Sequence, residues 1–162
     1  MEGDVFGCFT GKSWRNQFGY FGSGDAFLWR LKKSRWGTHQ PYSSARVDSE
    51  LEVYPCTGYD NMVQLFTTET IAVGGGPWDD GDSPYEPRLN GIGLIIDRDL
   101  LCGESKSCAT FANPPLCKNA EDGVSFEIIN LEVWTLTPCM TTESANELEA
   151  RNLFVEKNMK LL

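Results

Sequence analysis

Between Asp97 and Trp134, apolar runs too short for a globular helix alternate with a polar, thiol-bearing loop, and this pattern restricts the fold more than any other stretch. The segment begins Asp97-Arg98-Asp99-Leu100-Leu101-Cys102-Gly103-Glu104-Ser105. It continues Cys108-Ala109-Thr110-Phe111-Ala112-Asn113-Pro114-Pro115-Leu116 and closes on Phe126-Glu127-Ile128-Ile129-Asn130-Leu131-Glu132-Val133-Trp134. Two apolar strands flanking such a loop predict a small, mainly β domain. The segment holds no metal-ligand spacing and no nucleophile motif.

The remainder of the chain continues in the same manner. Val5 to Phe9 starts as a strand and turns at Thr10-Gly11-Lys12. In Phe27, Trp29 and Leu31 against Leu28, Arg30 and Lys32, a period of two predicts a strand with one buried face and one partly wet. Leu51 to Tyr54, Met62 to Phe66, Thr70 to Val73 and Gly91 to Ile96 read as further strands, and Trp78 to Asn90 as a long exposed loop. Phe126 to Leu136 reads as the central strand. Ile129, Leu131 and Val133 lie on one face, with Phe126, Ile128, Trp134 and Leu136 on the other, so both faces are expected to be covered. Glu132 would then be a buried carboxylate in need of a partner.

The tail differs in character. Ser144-Ala145-Asn146-Glu147 fits a capping box. From there Leu148, Asn152, Val155, Met159 and Leu162 recur at spacings of four and three. Acids precede bases along the segment, matching the helix dipole. An amphipathic helix over 142–162 is predicted, its stripe either folding back on the body or binding a partner. The division expected is a domain over 1–137 and a helical tail over 138–162.

Composition excludes several function classes. The formal charge of −9 repels phosphate backbones. The basic cluster Arg30-Leu31-Lys32-Lys33-Ser34-Arg35 is short enough to be a solvated strand end, so no nucleic-acid partner is expected. No apolar stretch approaches the roughly 20 residues of a membrane span, so no membrane insertion is expected. Six cysteines would suit three disulfides, yet the start Met1-Glu2-Gly3-Asp4 carries no secretion signal, and free thiols in a reducing cytoplasm are the expectation.

Sites with catalytic chemistry are hard to assemble from these residues. Gly74-Gly75-Gly76 runs into Pro77-Trp78, and the turn Gly19 to Gly24 runs into a strand, so neither has the helix start of a phosphate loop. No C-x-x-C occurs, and the lone His39 cannot complete a zinc site; no metal and no cofactor are expected. Cys102 and Cys108 bracket a polar loop containing Lys106, which makes them redox candidates: an exposed thiolate near positive charge can be oxidised reversibly.

Taken in order, these segments resemble the TLDc domain of the oxidation resistance family. The matching residues are Phe6-Gly7-x-Phe9; Tyr20-Phe21-Gly22-Ser23-Gly24-Asp25-x-Phe27-Leu28; Thr57-Gly58 with Asn61; and Ile71-Ala72-Val73-Gly74-Gly75-Gly76. They continue with Gly93-Leu94 to Asp97-x-Asp99-Leu100; Gly103-x-Ser105-x-x-Cys108-x-Thr110-Phe111-x-Asn113-x-x-Leu116; and Phe126-Glu127-Ile128 to Glu132-Val133-Trp134. The resemblance covers roughly residues 5–136.

It implies an α+β, mainly β fold: a two-sheet antiparallel β-sandwich with a few short helices, followed here by the amphipathic tail. It also implies a non-enzymatic interaction module protecting against oxidative stress. Its partner would be subunits of the vacuolar proton-pumping ATPase, and its location cytoplasmic, with endolysosomal or vacuolar association through that partner and mitochondrial association as a separate alternative. A thiol-based peroxide scavenger acting through Cys108 or Cys102 is the alternative. Asp25, Gly74, Gly75, Gly76, Asp97, Ser105 and Glu132 are the family-patterned polar positions, expected to be framework residues. Leu148, Val155, Met159 and Leu162 form the expected partner-binding stripe. The family pattern has Glu where Asp25 stands, a shorter loop than 77–90, and several dozen residues ahead of Phe6; without those, apolar surface is expected to be exposed.

Overall fold

In the computed structural model the described residues are 3–31, 51–76, 91–118, 124–135 and 139–159. They form two compact units, Met1–Ile129 and Asn130–Leu162. The first unit contains two antiparallel sheets. One has the order β1-β2-β3, from strands Phe6–Phe9, Phe27–Leu31 and Leu51–Pro55. The other has the order β4-β5-β6-β7-β8, from Gln64–Phe66, Thr70–Val73, Leu94–Asp97, Cys102–Glu104 and Ser125–Glu127. All pairings are antiparallel. The mainly β, two-sheet architecture expected from the sequence is present.

Alternation along each strand assigns one face to the core. In β2 the inner residue is Leu28, fully buried, and Arg30 shares its face. Leu28 meets Val73 and Leu94 of the second sheet, together with Val63, Cys108, Phe111 and Leu116, in one apolar cluster. Phe6 of β1 packs edge-on against Phe126 of β8, with ring centroids 4.9 Å apart. Gly93 explains why the sheets approach so closely at Leu28: a Cβ there would lie 2.6 Å from Leu28 Cδ1. A polar tie joins the three-stranded sheet to the loop that carries Pro115. Arg30 Nε donates to Glu52 Oε2 at 2.5 Å and its Nη1 donates to Pro115 O at 2.8 Å, while Tyr54 Oη donates to Glu52 Oε2 at 2.9 Å.

Four local expectations are corrected. Cys102 to Glu104, expected in a loop, is strand β7. The strand expected over Phe126 to Leu136 is only Ser125–Glu127, and it is an edge strand rather than a central one. Its ladder stops because its partner turns away. After Cys102 pairs with Glu127, Ile128 N donates to Leu101 O at 2.8 Å, and Leu100 then takes a left-handed φ of 58°. Beyond that point no described strand lies alongside, and Ile129, Val133 and Trp134 are 89%, 86% and 85% exposed. The strand expected to begin at Gly91 begins at Leu94, Gly91 lying in a turn with φ of 92°.

The fourth correction concerns the second unit, whose helix α1 runs Thr142–Met159. Its cap is one turn earlier than the Ser144–Glu147 pair. Thr141 Oγ1 accepts from Ser144 N at 3.2 Å, and Ser144 Oγ accepts from Thr141 N at 3.3 Å, a reciprocal box three residues upstream. Leu148 is half-buried and Phe154 is 69% exposed. The side chains of Asn152, Val155 and Met159, as well as Leu162, fall outside the described residues. So do His39, most of the basic cluster after Leu31, and the loop 77–90.

Candidate functional site

Ser105, Thr110 and Asn113 of the Asp97–Leu116 segment are buried, packed beneath the glycine turn that follows β5. Gly74 and Gly76 adopt φ of 80° and 103°, conformations in which a side chain is strained. Space is equally tight. A Cβ at Gly74 would lie 2.7 Å from Cys108 Sγ and 2.9 Å from Phe111, and one at Gly75 would lie 2.9 Å from Met62 Cβ.

Thr110, fully buried, is the hub. Its Oγ1 accepts from Gly75 N at 2.9 Å and lies 2.9 Å from both Asp60 Oδ1 and Gly75 O. A hydroxyl has one proton, and the carboxylate is the stronger acceptor. Gly75 O also receives Thr110 N, at 3.4 Å. Asp60 is held by a short turn in which Met62 N donates to its Oδ1 at 2.9 Å. Its Oδ2 is buried with no hydrogen-bond partner among the described residues. Thr57 completes the seam, its N donating to Thr110 O at 2.8 Å and its Oγ1 to Ala109 O at 2.9 Å.

Cys108, Asn113 and Ser105 extend this network. The Cys108 thiol donates to Asn113 Oδ1 at 3.1 Å, while Asn113 Nδ2 donates to Lys106 O at 3.0 Å and Pro114 O at 2.9 Å. Ser105 Oγ donates to Gly93 O at 2.6 Å and accepts from Leu116 N at 2.8 Å. These bonds fold the loop into a plug beneath the glycine turn. Burial pushes the Cys108 thiol up, and the nearby Asp60 carboxylate pushes it the same way. The Tyr20 hydroxyl is likewise raised, by burial first and then by Cys108 and Asp60.

The two redox candidates therefore occupy opposite surroundings. Cys108 is fully buried and favours the thiol, the reverse of what a reactive sulfur requires. Cys102 is exposed, in a concave surface of about 720 Å³ along the outer side of β5 to β8 that Glu69, Asp97, Glu104 and Glu127 also line. Asp97 serves the β6–β7 turn, its Oδ1 accepting from Leu101 N at 3.2 Å and Cys102 N at 3.4 Å. Asp25 accepts from the Ser23 hydroxyl two residues earlier. Glu132 is exposed rather than buried, because no strand among the described residues covers it, and it accepts from Trp134 Nε1 at 3.1 Å and Asn130 Nδ2 at 3.2 Å.

Thr110 with Ser105, Cys108, Asn113 and the glycine turn thus come together, while Asp25, Asp97, Cys102 and Glu132 do not join them. Asp60 was not singled out in the sequence. Its one signal was the turn composition Thr57-Gly58-Tyr59-Asp60-Asn61, which cannot tell a capping carboxylate from a solvated one.

Residues 1–137 match the TLDc domain family. Oxidation resistance protein 1 of Yarrowia lipolytica is 29% identical over 134 residues, covering 82% of this chain and 45% of that protein. Oxidation resistance protein 1 of Rattus norvegicus is 29% identical over 134 residues, covering 82% of this chain and 12% of that protein. GTPase-activating protein skywalker of Drosophila melanogaster is 28% identical over 141 residues, covering 81% and 20%. The chain spans less than half the length of the curated relatives it matches.

Proposed function

The chain belongs to the TLDc domain family, and from that membership we propose that it is a non-enzymatic interaction module in protection against oxidative stress, binding and regulating the vacuolar proton-pumping ATPase. The observation that carries this reading is the inward direction of three polar residues of the matched Gly103–Leu116 motif, although Asp25, Asp97 and Glu132 are not buried. Ser105, Thr110 and Asn113 are at most 2% exposed, and each makes several internal hydrogen bonds. Residues used in this way shape a scaffold, and the work is left to the surface the scaffold presents. Similarity to proteins named for oxidation resistance supports the stress role.

The module works in the cytoplasm and reaches endolysosomal or vacuolar membranes through its partner. No helix among the described residues is long and apolar enough to cross a membrane. A pull-down of the pump's peripheral subunits, with the full chain and with a chain lacking residues 142–162, tests the proposal. Capture by the full chain is expected. Failure of both forms under gentle conditions overturns it.

Of the two redox candidates, a thiol-based reading keeps Cys102, which has solvent access, whereas Cys108 is sealed. Alkylation rate against pH, compared between the native chain and Cys102→Ser, separates the two readings. A Cys102 that titrates near the ordinary thiol value of ~8.5 and reacts slowly removes the scavenger reading.

A further inference from the structure

Where the Asp60 turn meets the glycine turn, oxygens crowd together with too few protons between them. Asp60 Oδ1 and Gly75 O each lie 2.9 Å from Thr110 Oγ1, and Met62 O lies 3.3 Å from it. Thr110 is fully buried, and its hydroxyl has one proton for these three acceptors. When that proton goes to the carboxylate, both carbonyls face the hydroxyl lone pair against lone pair. Backbone amides relieve part of the deficit. Met62 N donates to Asp60 Oδ1 and Gly75 N to Thr110 Oγ1, each at 2.9 Å, while Thr110 N reaches Gly75 O at 3.4 Å.

Charge is out of balance at the same place. Asp60 Oδ2 is buried without a hydrogen bond, and no ion pair to Asp60 occurs among the described residues. A buried carboxylate oxygen in that condition is costly. The charge also acts on its neighbours. The Tyr20 hydroxyl and the Cys108 thiol are both pushed up, by burial first and by Asp60 among the further causes. Two glycines let these groups draw close: a Cβ at Gly76 would lie 2.5 Å from Asp60 Oδ2, and one at Gly75 would lie 3.1 Å from Tyr20 Oη.

We propose that this cluster binds a hard cation of calcium's class, with the Asp60 carboxylate supplying the charge and Gly75 O, Met62 O and Thr110 Oγ1 the neutral oxygens. A cation satisfies lone pairs that no proton reaches and offsets the unpaired carboxylate together with them. The donors are all oxygens, which suits neither zinc nor copper. Calcium accepts carboxylate and carbonyl oxygens in a flexible geometry, whereas magnesium keeps most of its waters. A single carboxylate sets the affinity at the weak end of calcium sites, a Kd of about 10⁻⁴–10⁻³ M. Binding ties the Asp60 turn, the glycine turn and the plug that carries Thr110 to one point.

Nuclear magnetic resonance of the full chain, titrated with calcium chloride at fixed ionic strength, tests this. The amides of Met62, Gly75, Gly76 and Thr110 are expected to shift along one saturable curve. At about 10 mM calcium the melting temperature should stand about 3–6 °C above its value in sodium chloride of equal ionic strength. Asp60→Asn keeps the shape, removes the charge and is expected to abolish that rise. Asp99→Asn, at an exposed carboxylate outside the cluster, is expected to keep it. Shifts confined to surface acids elsewhere overturn the proposal, as does an equal rise in Asp60→Asn. So does a chain that ignores calcium, whose cluster is then served by water alone. Should Asp60→Asn not fold, the amide titration of the native chain still decides.

Discussion

Thr110 shows how much one buried hydroxyl can control. It links the Gly74–Gly76 turn to the Asp60 turn and to the plug formed by the Cys108 loop. Thr110→Val keeps the shape and deletes the hydroxyl, leaving Gly75 N and Asp60 without that partner. The expected loss is about 1–3 kcal/mol, read as a lower urea midpoint at unchanged slope, and Thr110→Ser should recover most of it. A second effect at this scale is pH-dependent. Cys8 lies against the core, and burial pushes its thiol up to about 11 from 9.0. The folded state therefore holds the proton more tightly than the unfolded chain. The sign follows: the contribution is fully present below about pH 9 and is lost as pH rises toward 11. The urea midpoint should fall across that window and fall less in Cys8→Val; an unchanged slope would show that Cys8 is not responsible. Sequence pointed to Ser105, Cys108, Thr110 and Asn113 as a group, but could not say that they face inward. Their acceptors, such as Gly93 and Asp60, are 12 and 50 residues away along the chain.

Among the elements, strands β1, β2, β3 and β5 were legible because each has a short apolar run bounded by turn residues. The run from Phe126 had the strongest strand composition of all, and among its described residues only Phe126 and Glu127 are strand. Composition describes what a strand prefers, whereas a ladder needs a neighbour, and the neighbour here ends at the Leu100 turn. The same reasoning fixes what substitutions there should do. Val133→Thr, at an 86% exposed position, should change stability by less than about 0.5 kcal/mol. A central strand would lose several times that, so a large drop in melting temperature would return residue 133 to the core.

For the body formed by residues 1–129, the deciding contact is Leu28 against Val73, Leu94 and Phe111, where both sheets and the plug meet. Leu28→Ala opens a cavity among all three and is expected to cost about 2–5 kcal/mol. Because the partners belong to different layers, far-UV ellipticity and tryptophan fluorescence should shift together to a lower midpoint. Separate transitions would mean that the sheets unfold independently. Local information in the chain determined the strand-forming runs, the glycine turns, the absence of paired zinc-ligand spacings and the acidic surface, because period, backbone freedom and charge are properties of neighbours in sequence. Tertiary structure alone decided which cysteine is sealed and which is open, that Glu132 is wet, that Asp60 belongs to the Thr110 seam, and which face of β2 is the inside. Burial depends on what arrives from elsewhere in the chain, and alternation marks two faces without saying which of them another layer will cover.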